Sequence, residues 1–163
     1  MLPEYRKILF ASDLEAGGAG ALRHAVGLAK RYGAELIVLH VMAPLGPTGQ
    51  TMLRQVLSDE KLHQLQQNSF AAVRQKLHEQ LHAFCDRELP GAAERDVVSE
   101  IRIAQGAPAA TILAEAQTVV ADLLVLGNRR HTTLGAAVLG SVAGKILHAS
   151  TLPVLLLPIA PTG

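Results

Sequence analysis

Two short stretches of this chain carry residues that could do chemistry. The first is Gly127-Asn128-Arg129-Arg130-His131-Thr132-Thr133-Leu134-Gly135, followed a few residues on by Gly140-Ser141 at the start of a helix-forming segment. Backbone amides at a helix start are unpaired donors with a partial positive charge, and they bind phosphate. Glycine lets such backbone come close to a ligand. Ser141 either caps the helix or donates to a phosphate oxygen. The plainer alternative is a loop that needs glycine to turn and serine to cap. The second stretch is Lys7-Ile8-Leu9-Phe10-Ala11-Ser12-Asp13, an apolar run closed by an acid. Asp13 is either a ligand for ribose or Mg²⁺ or a cap for the loop after it.

Other patterns fall short of a site. Leu139-Gly140-Ser141-Val142-Ala143-Gly144-Lys145-Ile146 approaches a P-loop, but Leu stands at its first glycine and Ile at its final Ser or Thr. Gly18-Ala19-Gly20-Ala21-Leu22-Arg23 lacks the third glycine of a dinucleotide fingerprint. There is no serine in a glycine elbow. His78 and His82 form an i, i+4 pair of the kind that binds metal, but no carboxylate or cysteine completes it, so they read as a solvated helix face and no metal site is assigned. His24, His40, His131 and His148 have no partner that the sequence identifies. Phosphoacceptor receiver domains also end strand one in an acid, but need further acids beside it and a Lys closing strand five; Glu15 is a neighbour, and strand five ends in Leu157-Pro158.

These residues need a scaffold, and the chain reads as alternating strands and helices. Lys7–Ala11 is a buried strand. Gly17-Gly18-Ala19-Gly20 reads as a loop. Ala21–Tyr32 has helical apolar spacing, stopped by Gly33. Leu36–Val41 is the second strand. Residues 42 to 58, with Pro44, Gly46, Pro47 and Gly49, read as a loop with a turn of helix near Leu53–Leu57. Ser58 is an N-cap, with Asp59 and Glu60 favourable behind it. Leu62, Leu65, Val73, Leu77, Leu81 and Phe84 mark the core face of a second helix ending near Leu89-Pro90-Gly91. At ~1.5 Å per residue it is roughly 45 Å long, so it should protrude or bend. Val97–Ala104 is the third strand. A helix follows from Pro108 to Val119, then a fourth strand over Leu123–Leu126, a helix over Gly140–Ala149 and a fifth strand over Thr151–Pro158. The fifth strand's prolines place it at an edge.

Such alternation gives a doubly wound parallel sheet with helices on both faces. Ligands bind such sheets beyond the carboxyl ends of the strands, where strand order reverses. Strands one and four flank that point, and they end in Asp13 and Gly127. All 163 residues read as one domain. Apolar residues are 49% and aromatics 3%, so the core is built from Leu, Val, Ile and Ala. The net charge of +1 excludes a nucleic-acid groove or an anionic membrane surface as partner. Arg129-Arg130-His131 is too short for a DNA-binding stripe, though it suits phosphate. The lone Cys85 cannot close an intramolecular disulfide and reads as a buried, inert thiol; a cytoplasmic location is expected. Met1–Arg6 lacks an apolar signal core, and Leu134–Gly144 is too short to span a bilayer.

The combination of segments resembles the universal stress protein family along nearly the whole chain. Members that bind ATP carry Gly, two residues, Gly, nine residues, then Gly followed by Ser or Thr. Here Gly127, Asn128-Arg129, Arg130, His131 to Leu139 and Gly140-Ser141 keep that spacing, with Arg130 in place of the second glycine. Lys7–Asp13, Ala121–Gly127 and Ala149–Pro158 are similar to the family's first strand, fourth strand and ending. The resemblance implies a five-stranded sheet of order 3-2-1-4-5, of the adenine nucleotide alpha-hydrolase type. It implies a nucleoside pocket lined by Ala11, Ser12 and Asp13, with Val41 flanking adenine. Leu126 and Gly127 would lie near the ribose and phosphates, and Gly140, Ser141 and Val142 would hold the phosphates. Arg130 either blocks the pocket or adds charge-assisted hydrogen bonds. ATP, with AMP or another adenine nucleotide as variant, and Mg²⁺ are the implied ligands, and Asp13 is the candidate Mg²⁺ contact. A homodimer through Leu152 to Pro158 is implied as well. Hydrolysis is expected to be weak at most, because no general base or nucleophile besides Asp13 stands out. The alternative is a dimeric protein-interaction module that binds no nucleotide, which Arg130 favours.

Overall fold

The structure is a computed structural model that describes residues 1–14, 17–129 and 139–159. In chain order the elements are β1 (Lys7–Ala11), α1 (Gly18–Tyr32), β2 (Glu35–Met42), α2 (Pro47–Val56), α3 (Asp59–Glu88), α4 (Ala92–Arg95), β3 (Val98–Gln105), α5 (Pro108–Thr118), β4 (Leu123–Arg129), α6 (Ser141–Ala149) and β5 (Val154–Ile159). The five strands form one sheet of order β3-β2-β1-β4-β5, with every neighbouring pair parallel. The expected doubly wound α/β architecture is therefore present.

β1 lies in the middle of the sheet. Ile8, Leu9 and Phe10 are all buried, and they alternate between two cores because side chains along a strand point to opposite faces. Ile8 and Phe10 join Leu36, Val38, Leu123 and Val125 beneath α1 and the end of α3. Leu9 joins Ile37, Leu39, Leu124 and Leu126 beneath α5 and α6. Helices thus cover both faces, and each is amphipathic at the contact.

Asp122 ties β1 to β4 at their amino ends. Its Oδ2 accepts from the amides of Arg6 (2.8 Å) and Lys7 (2.9 Å), and its own amide donates to the Lys7 carbonyl (2.8 Å). Gly33 stops α1 with a left-handed φ of 63°, the conformation that glycine adopts without a Cβ penalty. Ser58 caps α3 by accepting from the Lys61 amide at 3.4 Å.

Several boundaries differ from the sequence reading. Gly18, Ala19 and Gly20 form the first turn of α1 rather than a loop, because burial of Gly18 beside Ser12 and Asp13 outweighs glycine's poor helix propensity. The segment read as a loop over 42 to 58 holds a ten-residue helix, α2, with Pro47 in its first turn, where a missing N–H costs nothing. β4 runs on to Arg129, since it pairs with β5 through Ile159. β5 begins at Val154 rather than Thr151. The short α4 is an addition. Among the described residues no helix is long and apolar enough to cross a membrane.

The 30-residue α3 corrects a further expectation. Of the six positions read as its core face, Leu62, Leu81 and Phe84 are buried and Leu77 is half-buried, while Leu65 and Val73 are exposed. The carboxyl half of the helix joins the core through Leu77, Leu81, Phe84 and Cys85, whereas Leu62 is buried outside both core clusters, and α3 also contacts α2. Cys85 is fully buried in that anchored half, and burial pushes its thiol up to about 11, so it stays protonated at neutral pH.

This division of α3 predicts unequal costs for equal truncations. Leu81→Ala should destabilise the protein by about 2–5 kcal/mol, the usual range for a buried leucine. Leu65→Ala should stay within about 0.5 kcal/mol. Urea unfolding midpoints check both, and equal losses would contradict the described packing.

Candidate functional site

The carboxyl ends of β1 and β4 part company above the sheet, because α1 leaves β1 on one face while α6 leads away from β4 toward the other. A cavity of about 360 Å³ opens there. Its walls include Ala11, Ser12 and Asp13 from the end of β1, Val41 from β2, and Leu126 and Gly127 from β4. Gly140, Ser141 and Val142 at the start of α6 face the same space. Every described residue of the expected set thus lines one cavity. Arg130 lies outside the described residues, as do Glu15 and His131.

Each wall has a local cause. The first intrahelical bond of α6 runs from the Gly144 amide to the Gly140 carbonyl at 2.8 Å, so the amides of Ser141, Val142 and Ala143 precede it. Among the described residues no side-chain cap bonds the first turn of this helix, whose N-cap is Gly140, and Ser141 and Val142 are exposed at its start. Of the P-loop-like stretch Leu139 to Ile146, the residues from Ser141 on are turns of α6, not a loop. On the opposite wall Ser12 is buried and Asp13 is exposed. The Ser12 amide donates to the Leu39 carbonyl at 2.8 Å, and Ser12 Oγ accepts from the Leu14 amide at 3.1 Å. Leu14 takes a φ of 62°, a left-handed conformation that a branched side chain adopts only when its surroundings hold it there.

Gly127 is a packing requirement as well as an opening. A Cβ at this position would collide with the Ile159 side chain, which forms part of the cavity wall. Leu126 below it is buried in the core shared with α5 and α6.

The sequence reading missed two polar residues at this cavity. Asn128 Oδ1 accepts from the Gly140 amide at 2.9 Å, and so fixes the start of α6 against the end of β4. It stood among the variable positions of the glycine spacing, where nothing distinguished it from a loop residue. His40, which had no nameable partner, bonds through Nδ1 to the Ser12 carbonyl at 2.8 Å. Its place beside Val41 at the end of β2 was the available signal. The His78–His82 pair lies away from the cavity on α3, and Arg95 donates to His82 Nδ1 at 2.9 Å. Among the described residues no cluster of His, Cys, Asp or Glu is arranged to hold a metal ion.

A five-stranded parallel sheet of this order, with a cavity at the point where strand order reverses and the start of α6 on its rim, defines a doubly wound α/β protein, a class of fold that takes its ligands at this carboxyl edge. Residues 4–158 match the universal stress protein family, and the chain belongs to it. It is 32% identical over 152 residues to the universal stress protein YxiE of Bacillus subtilis, an alignment covering 93% of this chain and 98% of that one. The fold is similar to that of hypothetical protein MJ0577, with a TM-score of 0.67 and 22% identity over 98% of this chain and 100% of the other. It is also similar to a universal stress protein crystallised in complex with cAMP, with a TM-score of 0.64 and 22% identity over 95% of this chain and 98% of that one.

The close fit of Ile159 over Gly127 gives a test of the cavity floor. Gly127→Ala should cost about 1–3 kcal/mol through overpacking. Combined with Ile159→Ala, it should cost less than the two single losses summed. A double-mutant cycle from thermal unfolding reads the coupling, and additive losses would mean that the two residues do not touch.

Proposed function

We propose that this cleft binds an adenine nucleotide, ATP in the first place, and that the chain acts as a regulatory module whose partner interactions respond to the bound nucleotide. The observation that carries the reading is the convergence of β1's polar end and the amino end of α6 on one cavity. Its volume of about 360 Å³ falls within the roughly 300–1,000 Å³ range of small-ligand clefts. In this reading Val41 flanks the base and Asp13 holds the ribose or a Mg²⁺ ion. Ser12 shapes the turn that carries Asp13, and Leu126 and Gly127 lie beneath the ribose and phosphates. The amides of Ser141 and Val142, with the Ser141 hydroxyl, receive phosphate oxygens at the positive end of the helix. Arg130 adds a guanidinium to the phosphate side. The cAMP complex of a related protein supports an adenine nucleotide as the ligand class. No described side chain besides Asp13 is offered as a base, so hydrolysis is weak at most.

Among the described residues β5 is an edge strand paired with β4 alone, and its outer side is the place for a second copy of the chain in this reading. The competing reading is a dimeric interaction module without nucleotide, and Arg130 in place of the motif glycine favours it.

Calorimetry on nucleotide-stripped protein separates the two, with ATP, AMP and cAMP titrated with and without Mg²⁺, beside Arg130→Gly. Micromolar binding by the parent, weakened about tenfold or more by Asp13→Asn in the presence of Mg²⁺, is the expected result. A parent that binds nothing while Arg130→Gly binds ATP would establish the competing reading. Sedimentation velocity on the same samples reports whether the chain dimerises.

A further inference from the structure

The β1–β2 ladder ends where Ala11 pairs with Leu39. One further backbone bond, from the Ser12 amide to the Leu39 carbonyl, closes it. Beyond that point the chains diverge, and among the described residues no strand amide donates to the carbonyl of Ser12, a residue only 7% exposed. The imidazole of His40 supplies the donor instead, with Nδ1 at 2.8 Å. A carbonyl oxygen only accepts, so the proton of this bond sits on Nδ1, and Nδ1 donates whether the ring is neutral or charged.

The bond lies at the root of a constrained turn. The Ser12 amide on Leu39 and the Leu14 amide on Ser12 Oγ fasten it as well. Leu14 is held at a φ of 62°, and Asp13 sits between these anchors on the cavity wall. A turn in a costly conformation persists only while its surroundings over-determine it. His40 anchors it with a side chain from outside the turn.

We propose that His40 is a positioning residue for the cleft: its Nδ1–H, bonded to the Ser12 carbonyl, fixes the Ser12–Leu14 turn and thereby the place of Asp13. The role in ligand binding rests on the nucleotide reading above; the role in holding the turn does not. Asparagine reaches the same point, because its side-chain amide nitrogen stands as many bonds from Cα as Nδ1 does. Phenylalanine keeps the ring and loses the donor.

The experiment compares the parent with His40→Phe and His40→Asn by amide hydrogen exchange in the absence of ligand and by ATP calorimetry. In His40→Phe the Leu14 amide should exchange about tenfold faster, while the Leu124 amide, bonded to the Pro153 carbonyl across β4 and β5, keeps its parent rate. ATP affinity should fall by roughly threefold to tenfold. His40→Asn should restore both to within about twofold of the parent. Unchanged Leu14 exchange in His40→Phe would overturn the proposal, as would equal acceleration at Leu14 and Leu124, which signals global destabilisation. His40→Asn behaving like His40→Phe would show that the donor is not what matters. A parent that binds no ATP defeats the nucleotide reading, and the exchange rates then decide the role of His40 by themselves.

Discussion

β1 has no solvent-facing side: Ile8, Leu9 and Phe10 are buried whichever way they point. A strand of that kind needs a helical layer on each face, and in a parallel sheet those layers come from the connections themselves. The chain must therefore leave β1 toward one side and build β4 into the other half. Two neighbouring strands whose continuations diverge leave a gap at their carboxyl ends. The cavity is that gap, so it follows from covering the central strand and requires no separate device.

What distinguishes this gap from a bare crevice is how its two walls are held. On the β4 side, Gly127 gives way to Ile159, and Asn128 takes the Gly140 amide, so α6 starts at a fixed place against the sheet. On the β1 side, Ser12, His40 and Leu39 hold a turn that exposes Asp13. An acid and a set of helix-start amides then face each other across one space. That arrangement suits a ligand with hydroxyls or a bound cation at one end and phosphate at the other. At the far end of the sheet, Asp122 bonds the amides of Arg6 and Lys7 and keeps β1 and β4 in register beneath the cavity.

The strands were legible because β1, β2 and β4, buried on both faces, leave apolar runs, β5 leaves a half-buried one, and β3 alternates apolar with polar residues. Gly33, Ser58 and Pro108 marked helix ends by backbone chemistry that holds in any fold. Gly18 and Gly20 misled, since glycine speaks for a loop until packing against Ser12 is known. The prolines and glycines between residues 44 and 49 likewise hid α2, although Pro47 is a helix start as readily as a break. Leu65 and Val73 have the spacing of a core face, but spacing cannot say how far a helix outruns the body that it packs on. At the cavity, the residues that the family resemblance implied lie together on its walls, apart from Arg130, which is outside the described residues. Asn128 carried no signal in the sequence and His40 only its place beside Val41, because each acts through a bond to backbone elsewhere in the sequence.

The central claim is that the two walls hold one ligand between them. An ATP titration followed residue by residue in ¹⁵N-labelled protein tests it most directly. The account predicts that the amides of Ser12 and Asp13 and those of Ser141 and Val142 shift together, along a single binding curve, while Lys7 and Glu35 at the far end of the sheet stay still. Shifts confined to one wall, or gathered on α3 or β5 with the cavity unmoved, would contradict it.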